Sequence, residues 1–100
     1  MIFNSFSEFY KFYLSEHSKV GTKLFHFIGT ALVFVSLFLY FYTYDSLYLF
    51  FAPLMGYGFA WFSHIFIEKN NPATFKYPLY SLRADFVMFF HILTGKIKIF

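Results

Sequence analysis

The chain has no cysteine, which removes disulfides, thiolate metal sites and cysteine nucleophiles from consideration. Charge is nearly as scarce: Asp, Glu, Lys and Arg make up 13% of the residues, about half the share an ordinary globular domain carries. There is no dense Lys/Arg run and no nucleic-acid-binding motif, so the net charge of +3 does not indicate a nucleic-acid partner. Internal repeats and low-complexity tails are absent as well. In their place, 59% of the 100 residues are hydrophobic and 29% are Phe, Tyr or Trp. A chain this short cannot enclose so many rings in its own interior, so a large share must face lipid or another subunit. The composition therefore indicates one integral membrane domain over residues 1–100, with apolar surface left over for a homo-oligomer.

Polar residues are spread through the first 23 positions, which argues against a cleavable signal segment. Residues 5–16 read as an amphipathic helix. Ser5 and Glu8 stand at capping-box spacing, and Phe6, Phe9, Tyr10, Tyr13 and Leu14 recur at the helical period. Such a helix lies among headgroups or packs beneath the spans. Gly21 is expected to bend the chain, and Thr22 to cap the next helix. Two uncharged runs follow, about 24–44 and 47–67, separated by Asp45 and Ser46. Each has the roughly 20 residues that a bilayer core of about 30 Å requires, so together they predict an antiparallel hairpin of two spans. Pro53 is expected to kink the second arm. Every Lys and Arg precedes residue 24 or follows residue 68, which puts both termini on the cytoplasmic side of a bacterial inner membrane or of the endoplasmic reticulum. Residues 69–80 hold two prolines and paired asparagines and read as an interfacial loop. Ser81 is placed to cap a last interfacial helix that runs to about Thr94 and stops at Gly95. The fold class is all-α.

With the turn centred on Asp45, His26 precedes it by nineteen residues and His64 follows it by nineteen. At about 1.5 Å per residue both lie roughly 28 Å from the turn, level with each other near the cytoplasmic edge of the hydrocarbon. His17, nine residues before His26, would sit on the opposite face of an unbroken helix; a bend at Gly21 would bring it back. Glu68 shares a helix face with His64, and His91 lies at similar depth, so both are further candidate ligands. Imidazole and carboxylate donors suit iron, zinc or manganese, and ligand type does not choose among them.

Ionisable groups inside a span are costly to bury, which makes a functional role the default reading. Against it stands a structural one, in which His64 and Glu68 simply hydrogen-bond each other. Two more alternatives remain: a redox module with a haem ligated by His26 and His64 from opposite sides, and a non-catalytic membrane subunit. Tyr57 and Trp61 read as packing residues, and Asn70 and Asn71 as turn residues. Asp85 reads as the partner of a nearby base or as a complement to its helix dipole.

The segments Tyr13-Leu-Ser-Glu-His17, His26-Phe-Ile-Gly29-Thr30, Gly56-Tyr57, Ala60-Trp61, His64, Glu68-Lys69-Asn70, Pro72-Ala-Thr-Phe75, Tyr77-Pro78 and Ser81-Leu82, taken together, resemble the 2-hydroxy fatty acid dioxygenase family. That family includes the fungal endoplasmic-reticulum enzyme of fatty acid α-oxidation. The resemblance spans residues 9 to about 95. It implies an Fe(II)-dependent enzyme that uses O₂ to shorten a 2-hydroxy fatty acid by one carbon, with the carboxyl carbon leaving as CO₂. It also implies that His17, His26 and His64 hold the iron; the fourth ligand stays open, with Glu68 and His91 as the candidates to complete or orient the site. Lys69, Lys76 or Arg83 would attract the substrate carboxylate, and the acyl chain would stay among membrane helices. Thr22-Lys23 stands where the family often has Asn-Arg, and His91 matches no family histidine.

Overall fold

The structure of the chain is a computed structural model in which residues 3–99 are described; they form four α-helices and no strand. Helix α1 (Phe6–Ser15) starts as its capping residues dictate. Ser5 Oγ accepts from the Glu8 amide at 3.3 Å, and Glu8 Oε2 accepts from the Asn4 amide at 2.9 Å, one residue before the usual capping-box donor.

The hairpin arms are α2 (Val20–Thr43) and α3 (Leu47–Ser63). Tyr44, at φ 59°, ends α2, and Asp45 Oδ1 accepts from the Leu47 amide at 3.0 Å to start the return. Pro53 lies inside α3 without ending it. The arm closes with one wider, π-type turn over His64–Glu68, terminated by Lys69 at φ 61°. Both arms, Val20–Thr43 and Leu47–Glu68, are long and apolar enough to cross a membrane. Their outward rings, Phe38, Phe41 and Phe50 among them, stay exposed. The arms pack closely at Gly29, where an added Cβ would lie 2.9 Å from Phe59 Cβ and 3.2 Å from the Met55 carbonyl oxygen. Small residues at such crossings let backbones meet, as in pairs of membrane helices.

Two expected caps are corrected. The chain bends at residues 16–19, not at Gly21, because Glu68 supplies the start of α2 from the other arm. Its Oε1 accepts from the Lys19 amide at 2.6 Å, and both carboxylate oxygens accept from Ser18 Oγ at 3.3 Å. Gly21 is already helical, and its bare Cα admits Ile67, whose Cδ1 would be 3.1 Å from an added Cβ; Thr22 is buried. Likewise α4 (Pro78–Leu93) starts at Pro78, whose missing N–H costs nothing in a first turn. That leaves Ser81 buried within the helix instead of capping it. Gly95, at φ 84°, follows the end of α4 as expected.

Helix α4 is not confined to the end of the hairpin but lies along α2, with ring centroids 4.8 Å apart for Phe27 and Phe89 and 5.5 Å for Phe34 and Phe86. Helix α1 packs on α4, and together they bury Phe9, Tyr13, Ala84 and Met88. At about 1.5–3 kcal/mol for each large apolar side chain buried, this small core holds α1 at the head of the hairpin. His17 follows directly from it.

Candidate metal centre

Three elements deliver three imidazoles to one point. His17 leaves the end of α1, His26 projects from the second turn of α2, and His64 opens the π-type turn that closes the second arm. Extra-wide turns of this kind recur at functional sites because they re-aim one side chain. All three histidines are buried, at 1%, 5% and 2% exposure. His26 Nε2 lies 3.1 Å from His17 Nε2 and 3.2 Å from His64 Nε2. The equal depth expected for His26 and His64 is therefore observed.

The far side of each ring determines what the near side offers. His17 Nδ1 lies 2.6 Å from the Tyr13 carbonyl oxygen, which can only accept, so Nδ1 carries the proton. His64 Nδ1 lies 2.6 Å from Asn70 Oδ1. The orientation of that amide follows from Asn70 Nδ2, which donates to the Glu16 carbonyl at 3.2 Å and to Glu16 Oε2 at 3.1 Å. His26 Nδ1 faces Asp85 Oδ1 at 3.6 Å, and the Tyr13 hydroxyl donates to that same oxygen. Burial, and then the charge of Asp85, push the Tyr13 phenol well above its ordinary value, so it stays a donor. Burial, with His26 and His64 alongside, holds His17 well below the usual histidine range, and its ring is neutral at pH 7.

His17 and His64 carry their protons on Nδ1, so their Nε2 lone pairs converge on Nε2 of His26. One shared proton would serve two of these nitrogens; a metal ion serves all three. At the usual metal–nitrogen distance of about 2.0–2.1 Å, the two nitrogen pairs that His26 makes, 3.1 and 3.2 Å apart, would each subtend roughly 100° at one ion, and all three donors lie within 4.8 Å of one another. The donor set is thus one that can hold a metal ion. Three acceptors behind the rings, a backbone carbonyl, a carboxylate and an amide oxygen, orient the ligands as such partners do in metal sites.

Other residues expected at the site are placed elsewhere. Glu68 caps α2 and is not among the converging donors. His91 Nδ1 is hydrogen-bonded to the Tyr10 hydroxyl at 2.8 Å, away from the cluster; burial raises that phenol to about 12. Arg83 lies over the Phe6 ring, 4.1 Å from its centroid, and Lys69 and Lys76 are exposed. Conversely, Asn70 and Asp85 matter more than a turn residue and a helix-dipole residue would. Asn70 could have been suspected from its place six residues after His64, just past the end of the apolar arm. No local pattern marks Asp85, which meets Tyr13 across 72 positions of sequence.

Two cavities adjoin the centre and share His26 and Asp85. The larger, about 250 Å³, passes between α2, α3 and α4 from those two residues by Thr30 to Val33 and Pro53, and is mostly apolar. The smaller, about 10 Å³, adjoins all three histidines and also Trp61 and Ser81.

A family model described as 2-hydroxy-palmitic acid dioxygenase Mpo1-like matches residues 3–97. No curated protein and no solved structure matches the chain.

Proposed function

From the premise that this chain belongs to the 2-hydroxy-palmitic acid dioxygenase Mpo1-like family, we propose that it is an integral membrane Fe(II) enzyme acting on 2-hydroxy fatty acids. The overall change is R–CH(OH)–COOH + O₂ → R–COOH + CO₂ + H₂O. The substrate supplies all four electrons that reduce O₂: the hydroxyl-bearing carbon rises to a carboxylic acid and the former carboxyl carbon leaves as CO₂. The observation that carries this reading is the convergence of three Nε2 atoms, with Nδ1 of His17 and of His64 hydrogen-bonded on the far side and that of His26 facing Asp85.

His17, His26 and His64 would hold the iron. When bound, it would offer a chelation site for the hydroxyl and carboxylate oxygens and a means of engaging O₂. The chain's own groups do the rest. The Tyr13 carbonyl and Asn70 keep His17 and His64 in the tautomer that presents Nε2, and Asp85 faces Nδ1 of His26. Burial of the cluster excludes bulk water, which would otherwise compete for the oxygen positions. The larger cavity takes the first part of the acyl chain; His26 to Val33 spans about 10 Å, and the rest of a long chain would run on between the helices. The confinement of all Lys and Arg to residues before 24 and after 68 supports cytoplasmic termini, with the centre at that interface.

A bis-histidine haem fits less well. Axial nitrogens on opposite sides of one iron lie about 4 Å apart, twice a metal–nitrogen bond. Here His26 and His64 are 3.2 Å apart, with His17 filling the space beside them.

The test is to incubate purified protein with Fe(II), O₂ and 2-hydroxypalmitic acid and to assay for the acid one carbon shorter together with CO₂. Near-stoichiometric iron and that product are expected. Folded, iron-loaded protein that forms no shortened acid at any chain length would overturn the assignment.

A further inference from the structure

Within the described residues, two buried hydrogen-bond donors beside the metal centre have no partner: the Trp61 indole Nε1–H and the Ser81 hydroxyl. An unpaired buried donor forfeits about 1–3 kcal/mol of hydration, so its presence calls for an explanation. The two sit on different helices, α3 and α4, yet both line the 10 Å³ cavity that adjoins His17, His26 and His64. That volume has room for a single water-sized group. Ser81 is 1% exposed. The Trp61 ring is held between Tyr57 and Phe75, with centroids 5.4 Å and 5.3 Å away, so its N–H cannot readily turn elsewhere.

We propose that Trp61 and Ser81 are the carboxylate-recognising residues of the substrate site: both donate to one carboxylate oxygen seated in the small cavity. The inference rests on the 2-hydroxy acid reading given above. The two cavities meet at His26 and Asp85, so a ligand whose chain lies in the larger one can place its acidic end in the smaller. The second carboxylate oxygen and the 2-hydroxyl then remain for the metal. The negative charge of Asp85 nearby is engaged by the Tyr13 hydroxyl and faced by His26 Nδ1, which moderates its repulsion of an entering carboxylate. Two neutral donors in a water-excluded pocket form an oxyanion-hole-like arrangement and bind an oxygen anion without a buried cation. Lys69, Lys76 and Arg83, the residues first expected in this role, line neither cavity.

Trp61 is the sole tryptophan of the chain, so its emission reports directly on this cavity. The experiment is anaerobic titration of the Fe(II)-loaded protein, where no turnover occurs. The ligands are 2-hydroxypalmitic acid and the vicinal diol of the same chain length, which keeps the hydroxyl and lacks the carboxylate. Emission is followed for the natural protein, Ser81→Ala and Ser81→Thr, and calorimetry is used for Trp61→Phe; helix content and retained iron report folding. The acid should bind the natural protein more tightly than the diol. Ser81→Ala and Trp61→Phe should each weaken the acid about tenfold or more, as expected for one lost hydrogen bond to a charged group. The diol should change little, and Ser81→Thr should restore the preference. If the natural protein binds the acid and both truncated variants bind it equally well, the cavity holds only a structural water and this inference fails while the enzyme reading stands. If the folded, iron-loaded natural protein binds no 2-hydroxy acid, the substrate reading itself falls and takes the inference with it.

Discussion

The two ends of the hairpin are built in opposite ways. At the turn, residues 41–47 are all exposed, Tyr42 and Tyr44 by 77% and 79%, and the side-chain hydrogen bonds there stay within a few residues. At the other end, α1, α4 and the loop after α3 close over the arms, and polar contacts there reach across 38, 50, 54 and 72 positions of sequence. One end is an apolar helical rod that depends on its surroundings for cover. The other is a packed, hydrogen-bonded head that makes its own interior. Chemistry collects in the head because only there do enough elements meet to exclude water and hold polar groups in fixed orientations.

The sharpest way to break that contrast is His64→Ala. Metal retention should fall from about one ion per chain to background and turnover should vanish, with helix content kept; metal analysis and far-ultraviolet circular dichroism check this, and Phe41→Ala at the exposed end should leave both intact. Next in size are the groups behind the rings. Asn70→Ala and Asp85→Ala should each weaken metal affinity about 10–100-fold, measured by competition with a chelator, since each removes the acceptor behind one imidazole. Third is the crossing of the arms. Gly29→Val should cost about 1–3 kcal/mol through overpacking against Phe59 and the α3 backbone, read as a lower unfolding midpoint in detergent. Gly58→Ala, where an added Cβ meets nothing within 4 Å, should be neutral or slightly stabilising.

The smallest effect is pH dependence in metal-free protein. His17 is held below its ordinary value by burial, so the unfolded chain takes up a proton before the folded one does. Stability should therefore be flat above the ordinary histidine range and fall as pH drops below about 6.5, by at most about 1.4 kcal/mol per pH unit for this one group. His17→Gln should flatten the slope. A profile rising toward acid would contradict the neutral Nε2 on which the metal centre depends.

Much of the scaffold was legible before any coordinates. Apolar run length marked the two arms, Asp45 and Ser46 marked the turn, and counting outward from it put His26 and His64 at one level, as their 3.2 Å separation bears out. The motif resemblance named the family that the match over residues 3–97 identifies. Helix starts were less legible. Gly21-Thr22 and Ser81 looked like punctuation, but their positions were overridden by a cap from Glu68 and by Pro78 in a first turn.

The sequence by itself determined which elements form, their order and the level of two histidines, because helical period, apolar run and residue counting are local properties. Only the tertiary structure decided by which bend His17 reaches them, that Glu68 caps α2 and stays out of the converging ligand set, and that Asp85, Asn70, Trp61 and Ser81 gather at the centre. Those outcomes depend on side-chain direction across elements far apart in sequence, which no spacing along the chain encodes.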